Sequence, residues 1–370
     1  MGVTHEHAPK APTRSGRLSG VPQWPGLGVR RHAGPRAESN ARDKGVNALH
    51  IRAETVDDAM RRAYRHLLTS GQAIKPSRGP AVEITAAVLH LTNPRARLSR
   101  TESRGRLFSA LGEFLWYLAK TDSLAFIRYY IPDYKKSSDD GKTIHGAYGP
   151  RLFKDGGVDQ VANIIAMLRD RPDSRRAVIQ LFKSTDIPYA YKDVPCTCSL
   201  QFLLRGGQLH LVAAMRSNDI FLGLPHDIFA FTMLQELIAC SVGAEVGQYH
   251  HMVGSLHLYD RDRRVVRQYL REGWQATRAM PPMPPDRPWA SVRRLLAAER
   301  AIRKGHRPKT AGLAPYWKDL VRLLQIFGAS QQGKPHLVEE LKARMSSSIY
   351  RPYIDAQQQR AEVRDRHLEG

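Results

Sequence analysis

Residues 200–214 read LQFLLRGGQLHLVAA, and residues 227–240 read DIFAFTMLQELIAC. In the first stretch apolar residues alternate over Leu200–Leu204 and again over Leu209–Ala214, on either side of Gly206-Gly207. Alternation around a glycine pair predicts two antiparallel strands joined by a two-residue turn. The second stretch is apolar on most faces, which predicts a buried helix. His251–Tyr259 reads as a further strand. A hairpin, a buried helix and a strand in succession predict a mixed α/β fold.

The flanking sequence carries the same interleaving. A short strand is expected at Ala48–Arg52, followed by a helix capped by Thr55 with Asp58 three residues on. Val56, Met60, Ala63, Tyr64, Leu67 and Leu68 keep helical spacing as far as a stop near Gly71. Val82–Leu91 reads as a strand, 105–119 as an almost wholly apolar helix, Val158–Leu168 as a helix and Ala177–Phe182 as a strand. Pro281–Pro285 reads as a linker, with helices expected near Trp289–Lys304, Pro315–Phe327 and His336–Arg344.

The chain has 370 residues and a formal net charge of +22. Its 42% hydrophobic content excludes a wholly disordered chain. No apolar run approaches the roughly 20 residues that span a bilayer, so no membrane partner is expected. The Arg30-Arg31 pair leads into no apolar stretch, so no secretory signal is read there. Three cysteines, Cys196, Cys198 and Cys240, are too few for a disulfide framework and fit a reducing, cytoplasmic setting. The charge is unevenly spread. Residues 1–46, a Pro-, Gly- and Arg-rich arm expected to be disordered, hold 8 basic and 3 acidic residues. Residues 47–262, the expected globular body, hold 27 and 22, whereas 263–370, a basic helical extension, hold 22 and 10. A charge excess concentrated outside the body leaves nucleic acid a candidate partner for the tail only.

Several residues stand out against this background. Glu113 is the one ionisable side chain between Arg106 and Lys120. A carboxylate on an apolar helix either finds a structural partner or has a raised pKa useful for proton transfer. Cys196 follows Pro195 at a loop-to-strand junction near arginine-rich segments, where positive charge is expected to favour its thiolate. Cys240 fits a small buried apolar residue, and Cys198 is expected to share a strand face with Cys196. The Cys-x-Cys pair, His210 and His250 have no metal-ligand spacing, so no metal is expected. Arg78, Arg175-Arg176 and Arg216-Ser217 lie in three clusters with the guanidinium and hydroxyl groups that grip phosphate.

Taken together, these segments resemble the thymidylate synthase superfamily of pyrimidine-nucleotide C5 transferases. The landmarks are Glu113–Trp116, Gly146–Gly149, Pro172–Arg176, Pro195-Cys196, Arg216–Asp219, Gly223–Asp227 and Gly254–Tyr259. The resemblance implies a mixed sheet flanked by helices and a homodimer. It implies 5,10-methylenetetrahydrofolate as co-substrate and no metal. By it Cys196 is the nucleophile that adds to C6 of the pyrimidine. Arg78, Arg216 and Ser217 are 5′-phosphate ligands, and Arg175 and Arg176 reach the partner's phosphate. His257 and Tyr259 hold the sugar, Glu113 and Tyr148 relay protons, and Asp219 and Gly223 contact folate.

The departures point to a subfamily. Asp227 stands where thymidylate synthases carry the asparagine that reads uracil. A carboxyl group there favours cytosine, whose N4 amino group donates to it. Cys196-Thr197 replaces a Cys-His pair, and Met215 replaces a glutamine. The family's tryptophan-bearing loop is replaced by Tyr129–Tyr134, and the segment that closes over folate is not recognisable. A looser site lets water capture the one-carbon intermediate. These features resemble the deoxycytidylate and cytidylate 5-hydroxymethylases, so hydroxymethylation of CMP or dCMP is expected. A thymidylate synthase acting on dUMP and a non-catalytic nucleic-acid-binding homologue are the alternatives.

Overall fold

The computed structural model describes residues 48–99, 106–274 and 276–366. The arm read over 1–46 lies outside the described residues. The decisive hairpin forms as β5 (Thr197–Arg205) and β6 (Gln208–Asp219), with Phe202 opposite Leu211. Gly206 and Gly207 take φ of 53° and 75°, the left-handed conformation that a tight hairpin demands of both turn residues. The buried helix is α6 (Leu224–Val242), followed by β7 (Glu245–Tyr259).

Preceding these are β1 (His50–Ala53), α1 (Val56–Ser70), β2 (Gln72–Ile74) and β3 (Ala81–Leu91). Thr55 caps α1 as its spacing requires, its Oγ1 accepting from the Asp58 N–H at 3.0 Å. Four helices and a strand follow: α2 (Leu107–Leu118), α3 (Leu124–Tyr130), α4 (Tyr148–Phe153), α5 (Gln160–Asp170) and β4 (Val178–Gln180). The seven-stranded sheet runs β1-β3-β7-β6-β5-β4, with β2 also paired to β3. β1 is parallel to β3 and β6 to β7; the other pairs are antiparallel.

The register sorts the two faces. Ile51, Leu89, His251, Ala213, Leu200 and Ile179 form one row across the sheet, and every one is buried. The adjacent row on the other face is Arg52, His90, His250, Val212, Gln201 and Val178, polar or partly open. The helices cover the first face. His251, 0% exposed, is the one ionisable side chain in that buried row.

The C-terminal sequence forms α7 (Arg263–Arg271), α8 (Pro288–Arg303), α9 (Pro315–Gln331), α10 (Pro335–Ala343) and α11 (Arg351–Arg366). The prolines of 281–285 lie in a strap pinned to the core. Met280 N–H donates to Arg95 O at 2.8 Å, and Met283 N–H to Glu236 Oε1 at 2.9 Å. The other Glu236 oxygen meets Arg97 in a buried ion pair. Tyr130 Oη donates to Glu299 of α8 at 3.0 Å, and its ring stacks on Phe327 of α9 with centroids 5.3 Å apart. Most charged positions of these helices face outward, Glu299 and Asp319 being buried exceptions, while an apolar face joins the core of the body. α3, α4, α7 and α11 escaped the sequence reading. α3 and α4 are too short for a clear period, and α7 is dominated by arginine.

Candidate active site

Strand ends and one helix bring the chemistry together. Cys196 sits immediately before β5, half-buried, with Arg216 of the neighbouring strand alongside. The Arg216 guanidinium donates to Pro195 O at 2.9 Å and Val194 O at 3.0 Å, and stands 3.8 Å from Cys196 Sγ. A Cβ on Gly254 would come within 2.9 Å of Arg216 O, so glycine there lets β7 lie against this strand. The expected activation of the thiol is overturned. Burial pushes the Cys196 thiol up to about 11, and Arg216 offsets only part of that. In the free protein the thiol is therefore protonated at neutral pH. Nor do Cys196 and Cys198 share a regular strand face, because the register shifts between Thr197 and Ser199. Cys240 is only partly buried, its thiol donating to Met283 O at 3.6 Å.

Glu113 projects from α2 into the same region and is 7% exposed. Tyr134 donates to its Oε1 at 2.5 Å, and Tyr117 also hydrogen-bonds it. Burial raises its pKa to about 7 despite both tyrosines. The carboxyl group thus titrates where a general acid or base must. Tyr148, at the start of α4, exchanges a hydrogen bond with Thr197 Oγ1 at 2.9 Å and accepts from Thr197 N–H at 3.1 Å. Thr197 therefore anchors Tyr148 and fixes the strand beside Cys196. Gly146 has its own reason: a Cβ there would lie 2.4 Å from Asp193 Oδ2. Asp193, raised by burial, also faces the field of Arg78 and Arg216.

Asp227 lies on the first turn of α6. Asn218 Nδ2 donates to its Oδ2 at 2.7 Å, and burial, with Glu113 nearby, holds its pKa well above the usual carboxylate range. Asp219 Oδ1 accepts from the N–H groups of Phe221 and Leu222 at 2.8 and 3.0 Å, shaping the turn that leads to Gly223. A Cβ on Gly223 would stand 3.1 Å from Asn218 Nδ2 and 3.5 Å from Asp227 Oδ2. On the other side, Ser217 Oγ lies 3.5 Å from His257 Nδ1, and the His257 and Tyr259 rings meet edge-on at 5.0 Å. Arg78 is exposed on the loop before β3. Arg261 donates to its carbonyl at 3.2 Å while lying 4.4 Å over the Tyr259 ring.

Eleven of the thirteen expected site residues thus gather on the C-terminal half of β6, the end of β7, and the helices and loops facing them. Arg175 and Arg176 do not. Gln201 donates to Arg175 O at 3.0 Å, and Asp173 approaches Arg205 at the hairpin end of β5. At roughly 3.3 Å per residue, Gln201, which holds Arg175, lies on the order of 17 Å along β5 from Cys196. Sequence reasoning missed Tyr117, Tyr134, Asp193, Asn218, His251 and Arg261. Tyr117 follows Glu113 by one helical turn, a signal the spacing carried. Asn218, Asp193 and Arg261 lie within three residues of expected site residues, but their contacts in the site, like those of Tyr134 and His251, are set by tertiary structure.

Comparison with known proteins agrees with this geometry. The thymidylate synthase family model matches residues 91–284. The chain belongs to the thymidylate synthase family. It is 30% identical over 215 residues to the deoxyuridylate hydroxymethyltransferase of Pseudomonas phage M6, covering 57% of this chain and 61% of that protein. It is also 30% identical over 207 residues to the deoxyuridylate hydroxymethyltransferase of Bacillus phage SP01, covering 52% of this chain and 54% of that one. The chain thus matches little more than half the length of these relatives. As a thymidylate synthase-family protein it has the mixed sheet flanked by helices that its sequence implies. Among the described residues no helix is long and apolar enough to cross a membrane.

Proposed function

We propose that this family member is a pyrimidine-nucleotide 5-hydroxymethyltransferase that takes its one-carbon unit from 5,10-methylenetetrahydrofolate and acts on CMP or dCMP. The observation that carries the reading is Asp227, on the helix that faces Cys196 and Glu113, whose carboxyl group is pushed by burial well above the usual carboxylate range, toward its neutral form. A neutral acid offers one donor and one acceptor. Its hydroxyl donates to N3 of cytosine while its carbonyl oxygen accepts from the N4 amino group. A second reading has support of its own: both relatives are named for deoxyuridylate. A neutral acid meets uracil with the two roles exchanged, donating to O4 and accepting from N3–H.

In either case the residues divide the work in the same way. Arg78, Arg216 and Ser217 hold the phosphate, and His257 and Tyr259 the sugar. Cys196 Sγ bonds to C6, which makes C5 nucleophilic toward the methylene carbon of the folate. Loss of the C5 proton and departure of tetrahydrofolate leave an exocyclic methylene. Glu113 accepts the proton and orients the water whose oxygen adds to that carbon. Elimination of Cys196 restores the ring, so the sum is nucleotide, methylenetetrahydrofolate and water giving the 5-hydroxymethyl nucleotide and tetrahydrofolate. Asp219 and the glycine at 223 give the folate side a carboxylate and a wall without a side chain.

Two proposals concern assembly. Arg175 and Arg176 serve the site of a second copy, because their distance from Cys196 removes them from their own. The open sheet face, where Met252 is 45% and Val178 40% exposed, is the surface for that copy. The test of function is incubation with UMP, dUMP, CMP and dCMP in turn plus the folate, with product mass as readout. Hydroxymethylated cytidylate is expected, with no dihydrofolate absorbance; turnover of dUMP alone selects the second reading, and a methylated product overturns both.

A further inference from the structure

The Asp227 carboxyl group ends a row of buried polar groups that no other part of the mechanism uses. Asn218 Nδ2 donates to Asp227 Oδ2 at 2.7 Å, and Asn218 Oδ1 lies 3.2 Å from His251 Nε2. His251 Nδ1 lies 2.6 Å from the Tyr249 hydroxyl. Asn218 is 3% exposed, and His251 and Tyr249 are 0% exposed. Tyr249 and His251 are two residues apart on β7, so they share the helix-covered face of the sheet, and Asn218 reaches them from β6.

Such a row admits two polarities. In the first, the Tyr249 hydroxyl donates to Nδ1, Nε2–H to the Asn218 carbonyl, and the Asn218 amide to Asp227. In the second, with the Asn218 amide turned over, every donor reverses and Asp227 donates from Oδ2. The far end decides between them. Reversed, Tyr249 oxygen would accept from Nδ1–H, and its own proton would need another acceptor. Among the described residues the Tyr249 hydroxyl has no partner except His251. A fully buried hydroxyl left with an unused donor is strongly disfavoured, so the first polarity holds. His251 fits it, because burial drives the ring to a pKa of about 3 and leaves it neutral, with one nitrogen to donate and one to accept.

We infer that Tyr249, His251 and Asn218 are specificity-determining positioning residues that fix which oxygen of Asp227 donates to the pyrimidine. With Oδ2 committed as acceptor, Asp227 in its protonated form carries the proton on Oδ1. A free carboxyl group could place the proton on either oxygen and so satisfy cytosine and uracil alike. The fixed order fits only one of the two bases. The inference rests on the base-reading role proposed for Asp227 but not on which base wins.

The decisive variant is Tyr249→Phe, which removes one buried oxygen and keeps the ring. It leaves His251 without the group that sets its tautomer, so both polarities become accessible. Each of dCMP and dUMP is assayed with wild type, Tyr249→Phe and Asn218→Ala. The ratio of the two kcat/KM values is expected to move toward unity by about tenfold or more in both variants. An equal loss on both bases, with the ratio unchanged, overturns the inference and leaves the variants merely structural. A second readout needs no turnover. Ring ¹⁵N shifts of His251, assigned by their loss in His251→Gln, are expected to show a neutral ring protonated at Nε2 in the wild type and a tautomer mixture in Tyr249→Phe. A wild-type ring protonated at Nδ1 overturns the inference. A wild type that prefers dUMP refutes the cytidylate reading alone, since the ratio and the tautomer still report on the relay.

Discussion

Glu113 shows how much one buried carboxyl group sets. Two tyrosine hydroxyls point at it, yet burial prevails and holds its pKa near 7, against an ordinary value of 4.5. A carboxyl group raised in the folded state stabilises the protein fully below its unfolded pKa and less as pH rises through the folded one. Glu113→Gln, which cannot ionise, is therefore expected to be more stable than wild type at pH 8 by roughly 2–4 kcal/mol. The gap should close below about pH 4.5, and chemical denaturation at the two pH values measures it. The same substitution is expected to abolish the rising acid limb of kcat/KM near pH 7, with a loss of about 10² or more where the base is ionised. A wild-type profile that is flat between pH 6 and 8 would remove Glu113 from proton transfer.

Elements explain why Tyr134 can reach Glu113 at all. The segment Tyr129–Tyr134 leaves the end of α3, and its aromatic rings are gripped from behind by α8 and α9 through Glu299 and Phe327. A Cβ on Gly112 would run into the Tyr130 ring at 2.2 Å, so α2 needs glycine to let this segment close. The C-terminal helices therefore form the back wall of the segment that leads to Tyr134. Phe327→Ala is expected to cost about 3–5 kcal/mol and to lower kcat more than it raises KM for nucleotide. The proposed phosphate ligands are untouched, while Tyr129 and Tyr130, at the root of the segment that carries Tyr134, lose their packing partner. Steady-state kinetics beside a melting curve separate the two effects. Glu236→Ala should be as damaging, at about 3–5 kcal/mol, because it strands the buried Arg97 and frees the 280–285 strap.

For the whole molecule, the distribution of charge and of site residues has different consequences. The arginines of 263–370 sit mostly on outward helix faces, while the inward faces complete the core against α2 and α6. Deleting residues 286–370 would bare Phe108, Tyr130 and Met233, so the shortened chain is expected to be insoluble; a soluble, cooperatively folded product would refute this. Arg175 and Arg176 raise the proposed second copy to a testable point. A mixture of Arg175→Ala/Arg176→Ala protein with Cys196→Ala protein, exchanged through mild denaturant, should regain activity that neither has alone. Each mixed dimer then has one site with both a thiol and intact arginines. No recovery would show that these arginines do not cross between subunits.

Local chemistry is what the sequence by itself determined. The Gly206-Gly207 hairpin, the Thr55 cap, the apolar α6 and the family landmarks all depend on neighbours within a few residues or on motifs whose order is written along the chain. A solitary carboxyl group on an apolar helix likewise announced Glu113. Tertiary structure alone decided the rest, because electrostatics and burial depend on groups far apart in sequence. Arg216 lies beside Cys196, which predicted a thiolate, yet burial outweighs its charge and keeps the thiol protonated. Residues 281–285 read as a linker, yet Glu236, some 45 residues earlier, pins them. His251 shows no pattern beyond strand alternation, and only the register between β6 and β7 sets it against Asn218. Which proton Asp227 offers to a base is a property of that packed row, not of any motif containing Asp227.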